Sequence, residues 1–270
     1  MSNEMVQAEI WLQETLESQH SIDELATRLG YSTSQVRRRF RQRFGLSPGA
    51  YRDMLRLEMA ARLLTLTPYS IAEIARQCGY HNHSAFSRAF HRHHGQTPRH
   101  YRQAQRQALR HQCHGGDPPA FEIRQQHTRR ALVTRLYRAS RRLHDLTHWA
   151  RHANAATPLP SRLKHSPAVA IVHNLPLPGA VERIDIGPLV TEQTAPHIAI
   201  PSSFRLLELP ARQHACLVLE DVEEIPRAVR TLIALGLPLH GRYASGEPAQ
   251  LLSHPQGVEV QLPLLAEPLP

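Results

Sequence analysis

The chain has 270 residues, 41% of them hydrophobic, and a formal charge of +9 that is unevenly spread: residues 1–110 hold 16 Arg against 9 acids, so +7 of the +9 lies there. This composition excludes a disordered or fibrous chain and leaves room for about two domains. Three cysteines, Cys78, Cys113 and Cys216, lie far apart and in no C-x-x-C pair, which excludes a disulfide framework; no run reaches the ~18 apolar residues of a membrane span, and no charged-then-apolar leader opens the chain. A cytoplasmic protein is expected, with a first half that attracts polyanions.

Met5, Ala8, Leu12 and Leu16 recur at helical spacing with Trp11 beside them, predicting a structural leading helix over residues 4–17. After it, Val36, Phe40 and Phe44 form the core stripe of a further helix, which turns Ser34, Gln35, Arg38, Arg41 and Gln42 outward and leaves Arg37 at the edge. Ser47-Pro48 caps a joining helix, Pro48 to Leu66, that ends before Thr67-Pro68. Its 19 residues span about 28 Å, close to the roughly 34 Å between successive major grooves of DNA.

Ser70 with Glu73 is a capping box, so a helix opens at Ile71; Ile71, Ile74, Ala75 and Cys78 line one face, and Gly79 stops it. A second helix carries Phe86 and Phe90 inward at i, i+4, while Ser84, Ser87, Arg88 and Arg92 look out or flank it. Gly95 ends that helix and Thr97-Pro98 opens the next. The unit occurs twice. Ser21, Ile22, Glu24, Ala26, Gly30 and Tyr31 recur 49 residues later as Ser70, Ile71, Glu73, Ala75, Gly79 and Tyr80, and from Ser34 and Ser84 onward the offset is 50, so the second turn has one residue more. Two copies are too few for a solenoid and each is a complete helix-turn-helix. Basic charge on two such reading heads points to DNA.

From Arg106 the apolar period is lost, Gly115-Gly116 and Pro118-Pro119 follow, and residues 108–119 read as a linker between a domain at 1–107 and one at 120–270. Beyond it, strands are expected at Ala131–Tyr137, Ala168–His173, Val181–Ile186, Phe204–Leu209, Ala215–Glu220, Gln250–Ser253 and Val258–Leu262, with helices at Ser140–His152 and Ile225–Leu235. The fold class is thus an all-α domain of two helix-turn-helix units joined by a long helix, followed by an α+β domain with a pseudo-symmetric antiparallel sheet.

The run C-G-Y-x3-S-x-F-x-R-x-F-x4-G-x-x-P-x-x-Y-R, from Cys78 to Arg102, resembles the signature of the AraC/XylS transcription regulators, with each of these positions filled. The resemblance implies base contacts at Ser34, Arg37 and Arg38 and at His83, Ser84, Ser87 and Arg88, with double-stranded DNA and RNA polymerase as partners and activation as the commoner mode. Arg reads guanine through O6 and N7, whereas Arg41 and Arg92 suit phosphate, which sets register without reading sequence. The layout of the second domain resembles a GyrI-like effector-binding domain, in a Rob-like arrangement, which implies a small-molecule effector. An acidic residue of that family is absent where Gln250, Leu251 and Leu252 stand, so a cation pocket is not expected.

Tyr137, Trp149, Glu220 and Tyr243, aromatic or acidic in an aliphatic segment, are the candidates to line a small-molecule pocket. His81, His83, His91, His93 and His94 crowd one stretch without an accompanying carboxylate or Cys, so no metal or cofactor is expected. No catalytic constellation stands out, and an enzyme is not expected. The rival readings are a DNA-binding head fused to a GyrI-like hydrolase, and a second domain that binds gyrase or RNA polymerase and senses nothing.

Overall fold

The structure, a computed structural model, describes residues 3–18, 20–113, 117–137, 163, 166–175, 177, 182–191 and 200–266. The chain divides into two compact units, Met1–Gln107 and Ala108–Pro270.

The first unit is helical: α1 (Asn3–Glu14), α2 (Ile22–Leu29), α3 (Thr33–Phe44), α4 (Pro48–Leu66), α5 (Ile71–Gln77), α6 (His83–His94) and α7 (Pro98–Gln112). Local chemistry starts and stops these helices. Ser21 with Glu24, Ser32 with Gln35 and Ser70 with Glu73 each form a full capping box. Ser47 and Thr97 each cap a helix whose first residue is Pro, accepting from the amides of Ala50 and His100. Gly30, Gly45 and Gly95 end α2, α3 and α6 in the left-handed conformation. The core of the second half gathers Leu57, Ala60, Leu64, Ile74, Phe86 and Phe90. Burying each phenylalanine contributes about 1.5–3 kcal/mol.

Residues 108–112, expected to begin a linker, instead continue α7, and Cys113 just after it is buried. Leu109 is a buried apolar position within this stretch, which the loss of the apolar period from Arg106 hides.

The second unit holds β1 (Glu122–Gln126), β2 (Arg129–Tyr137), β3 (Ala168–Val172), β4 (Arg183–Val190), β5 (Arg205–Leu209), β6 (Arg212–Leu219), β7 (Ala249–His254) and β8 (Gly257–Pro263). They form one antiparallel sheet in the order β1-β6-β8-β7-β3-β4-β2-β5. The order is symmetric about the β3/β7 pair, and the first strand of each half lies in the other half's sheet: β1 pairs with β6, and β5 with β2. β1 has no alternating apolar run, which is why its sequence gives no strand signal. The expected helix at Ile225–Leu235 is α8 (Ile225–Thr231), continued by a π turn over Leu232–Gly236 and a last turn at Leu237–Leu239. Pro238 has no N–H and its ring would meet the carbonyl four residues back, and the wider π turn relieves both constraints. The expected helix at Ser140–His152 lies outside the described residues.

Partners in an antiparallel pair point to the same side, so the registers sort the sheet into two faces. One is apolar, with Leu132, Ile186, Leu217, Leu251, Val260 and Leu262 buried. The other carries a small apolar cluster of Ala131, Val133, Val169, Ile171 and Leu209, flanked by polar side chains at Arg129, Arg135, Asp185, Gln250, Glu259 and Gln261.

Candidate nucleic-acid interface

On α3, Val36 and Phe40 are buried, and Phe40 meets Phe44 and Tyr51 with ring centroids 4.6 and 5.3 Å apart. That anchored face leaves Ser34, Gln35, Arg37, Arg38, Arg41 and Gln42 exposed. The arginines of α3 divide by use. Arg39 lies over the Tyr31 ring at 4.4 Å and reaches Glu4, and Arg43 lies over Phe44 at 5.5 Å. Arg37, Arg38 and Arg41 form no hydrogen bond or ion pair with another described side chain, so three uncompensated cations project from one helix.

On α6, Phe86 and Phe90 are buried, while His83, Ser84, Arg88 and Arg92 are exposed and Ser87 is half-buried. The helix starts differently from α3. Asn82 accepts from the amides of Ser84 and Ala85 at 2.8 and 3.2 Å, and the turn before it runs Gly79-Tyr80-His81-Asn82 against Gly30-Tyr31-Ser32 in the first head, which places the inserted residue. His94 stacks on Phe90 at 4.3 Å and on Tyr101 at 5.0 Å, and burial followed by the neighbouring His93 pushes its pKa down. Its work is packing. Among the described residues no three His, Cys, Asp or Glu side chains gather as metal ligands. Burial raises the Cys78 thiol to about 12, leaving it a small core side chain.

The two heads are fixed to each other at one corner. Gly79 adopts φ +75°, and a Cβ there would stand 2.6 Å from the Leu16 carbonyl oxygen and 3.0 Å from the Arg56 guanidinium. Arg56 in turn donates through Nε to the Leu16 oxygen at 2.9 Å and through Nη2 to Ser18. The arrangement repeats with the 50-residue offset: Arg102 donates to the carbonyls of Leu64 and Tyr69, and Arg106 to those of Thr65 and Thr67. Arg52 completes the set, donating to the His20 oxygen at 2.6 Å and lying 5.6 Å from the Trp11 ring. Four arginines therefore bind the carbonyls of the segment that follows α1 and those of the last turn of α4 and the segment after it, where at α4 a cation also complements the helix dipole. Reasoning from sequence missed this use. The signal available was the repeat itself, which returns Arg56 as Arg106 as well as Arg52 as Arg102.

In the second unit, Tyr137 ends β2 half-buried, Glu220 follows β6 and is exposed, Tyr243 is 44% exposed, and Trp149 lies outside the described residues. Four strands separate β2 from β6 in the sheet. The polar face holds charges that sequence reasoning did not single out. Asp185, fully buried, accepts from Arg135 at 2.7 and 2.8 Å, from Arg205 at 2.9 Å and from His173 at 2.8 Å. Burial alone would raise the Asp185 carboxyl, but the Arg135 charge and the His173 hydrogen bond outweigh it and hold the group far below the usual carboxylate range. Burial pushes His173 down to about 4 against the pull of Asp185, so the imidazole is neutral and donates. Glu259 accepts from Arg124 at 2.6 Å and from the Gln261 amide.

The family described as a helix-turn-helix domain matches residues 25–104, from within α2 to within α7. The HTH-type transcriptional regulator MtrA of Neisseria gonorrhoeae is 36% identical over 86 residues, 32% of this chain and 29% of that protein. The Right origin-binding protein of Escherichia coli K12 is 37% identical over 95 residues, 35% of this chain and 33% of that protein. The chain thus spans about a third of the length of these curated relatives. Among solved structures, the DNA-binding domain of AdpA in complex with a target DNA aligns at 33% identity and a TM-score of 0.38, covering 40% of this chain and 96% of that one. Residues 25–104 are a helix-turn-helix domain of the AraC type.

Proposed function

We propose that the protein is a cytoplasmic, sequence-specific transcription regulator of AraC/XylS type that reads a bipartite DNA site with two unlike heads on one chain. The observation that carries this reading is the set of exposed arginines without ion-pair partners among the described residues, Arg37, Arg38 and Arg41 on α3 and Arg88 and Arg92 on α6, on heads joined at Gly79 and Leu16. Ser34, Arg37 and Arg38 in one groove, and His83, Ser84, Ser87 and Arg88 in the next, would contact bases, with Arg41 and Arg92 on phosphate. The α4 length of 19 residues, about 28 Å, suits grooves roughly one helical turn apart. Names among the relatives, which include a transcriptional regulator and a transcriptional activator, agree with regulation, and activation through RNA polymerase is the mode we favour. The second unit, which we read as a GyrI-like effector-binding domain without enzymatic activity, would tune this binding through a small molecule.

Gel-shift titration of the full chain on sites selected from random DNA tests the reading. One chain should occupy an asymmetric site of about 20 base pairs, and inserting about 5 base pairs between its two elements should remove most of the specificity, because the second groove turns to the far side of the duplex. Selection of a perfect palindrome bound only by a dimer, or indifference to the insertion, would sink the bipartite reading.

A further inference from the structure

Arg129 on β2 is a half-buried cation whose hydrogen-bond partners are neutral amides. Its Nη2 donates to the side-chain oxygens of Gln250 at 2.8 Å and Gln261 at 2.9 Å, and Nε and Nη1 find no acceptor among the described residues. The buried acids of the same face are already engaged. Glu259 belongs to Arg124 and to the Gln261 amide, and Asp185 to Arg135, Arg205 and His173. The amide nitrogen of Gln250 lies 3.3 Å from His214, so both glutamines are oriented with their oxygens toward Arg129.

Beside this cation lies hydrocarbon. Leu209 is the cross-strand partner of Arg129, and half-buried Leu189, Leu207 and Leu252 border the apolar cluster that begins two residues along β2 at Ala131. We propose that this face of the sheet binds a small amphipathic carboxylate, its anionic end on Arg129 and its hydrocarbon on Leu189, Leu207 and Leu252. A cationic ligand would find Asp185 held by Arg135, Arg205 and His173 and Glu259 held by Arg124 and the Gln261 amide, and it would face the positive charge of Arg129. A carboxylate meets a guanidinium whose burial is otherwise offset by two amide hydrogen bonds and by the charge of Glu259, which Arg124 already engages. The inference rests on the reading of the second unit as a ligand-sensing domain and names the charge of what it senses.

Calorimetric titration of the full chain with three probes of one hydrocarbon body, 4-butylbenzoate, 4-butylbenzamide and (4-butylphenyl)trimethylammonium, tests it. The carboxylate should bind at least about tenfold more tightly than the amide, and the cation should not bind. Arg129→Met should cost about tenfold or more. Gln250→Glu, which places a carboxylate on Arg129 within an isosteric side chain, should abolish benzoate binding while thermal unfolding shows the sheet intact; retention of benzoate affinity in Gln250→Glu overturns the proposal even if Arg129→Met fails to fold. Tighter binding of the ammonium probe overturns the anionic assignment and leaves ligand sensing standing. If none of the three binds, the carboxylate site is refuted, and a thermal-shift screen of uncharged and cationic compounds then decides ligand sensing separately.

Discussion

Asp185 on β4 and Glu259 on β8 stand at matching places in the two half-sheets, within Ile184-Asp185-Ile186 and Val258-Glu259-Val260, and each is bonded by an arginine from an exchanged edge strand. Arg205 on β5 reaches Asp185 at 2.9 Å, and Arg124 on β1 reaches Glu259 at 2.6 Å. Since β1 and β5 each lie in the sheet half of the other repeat, these ion pairs tie the first strand of one half to the last strand of the other. The two sites differ in depth. Asp185 is fully buried and takes three partners, whereas Glu259 is 9% exposed and takes one cation, so removing a partner of Asp185 strands a buried charge and removing Arg124 leaves one that water can reach.

The stability of the sheet unit should fall with acid through His173. Its folded pKa is depressed to about 4, below the ordinary histidine value near 6.5, so between those values the unfolded chain holds a proton that the folded chain does not. The stabilisation is complete above about pH 6.5 and is lost progressively toward pH 4, by roughly 3 kcal/mol. Asp185, also depressed, adds its own loss only below the ordinary carboxylate range. Urea unfolding at pH 7.5, 5.5 and 4.5 should show a shallower acid slope in His173→Gln than in the unmodified protein; equal slopes would refute a neutral buried His173.

Arg106→Ala should destabilise the helical unit by about 1–3 kcal/mol, because it leaves the Thr65 and Thr67 carbonyls without their charged donor. Arg106→Lys should recover little, since a single ammonium cannot fork to both oxygens. Affinity for DNA at 10 °C, where both variants remain folded, should change less than about twofold. A larger loss with unchanged unfolding temperature would make Arg106 a DNA contact.

Gly30 and Gly79 have nearly the same backbone, φ +72° and +75°, and different surroundings. Gly30→Ala meets open space and should cost about 1–2 kcal/mol for the left-handed conformation alone. Gly79→Ala carries the same strain and adds a Cβ 2.6 Å from the Leu16 oxygen, so it should cost at least about 1 kcal/mol more and weaken binding to the bipartite site more than to either element alone. Thermal unfolding and half-site titrations compare the pair, and equal costs would mean the corner does not join the heads.

Arg38→Ala and Arg88→Ala should each cost about 1–3 kcal/mol at the specific site and relax base preference there, whereas Arg41→Ala should weaken all DNA about equally and lower the salt slope by about one. Competition titrations over a range of salt separate the two behaviours. An equal loss on specific and random DNA for Arg38→Ala would move it to the phosphate group.

The helical unit was legible in the sequence because what starts and stops a helix lies within one turn. Ser70 and Glu73 are three residues apart, Gly95 follows His94 directly, and Phe86 and Phe90 declare the buried face by their spacing. The 49- and 50-residue offsets then gave the second head from the first. The strands of the second unit were mostly legible as short apolar runs, with β1 the exception. Only the tertiary structure decided how the strands are ordered, that β1 and β5 exchange halves, and that Arg52, Arg56, Arg102 and Arg106 turn inward to carbonyls while Arg37, Arg38 and Arg41 do not. The reason is range. Arg205 and Asp185 are 20 residues apart, Arg129 and Gln250 are 121, and Arg124 and Glu259 are 135, and no local period marks which distant strand will bring a partner to a charge. An arginine carries the same charge whether it meets a carbonyl, a carboxylate or DNA, and which of these it meets is settled by where the chain folds back.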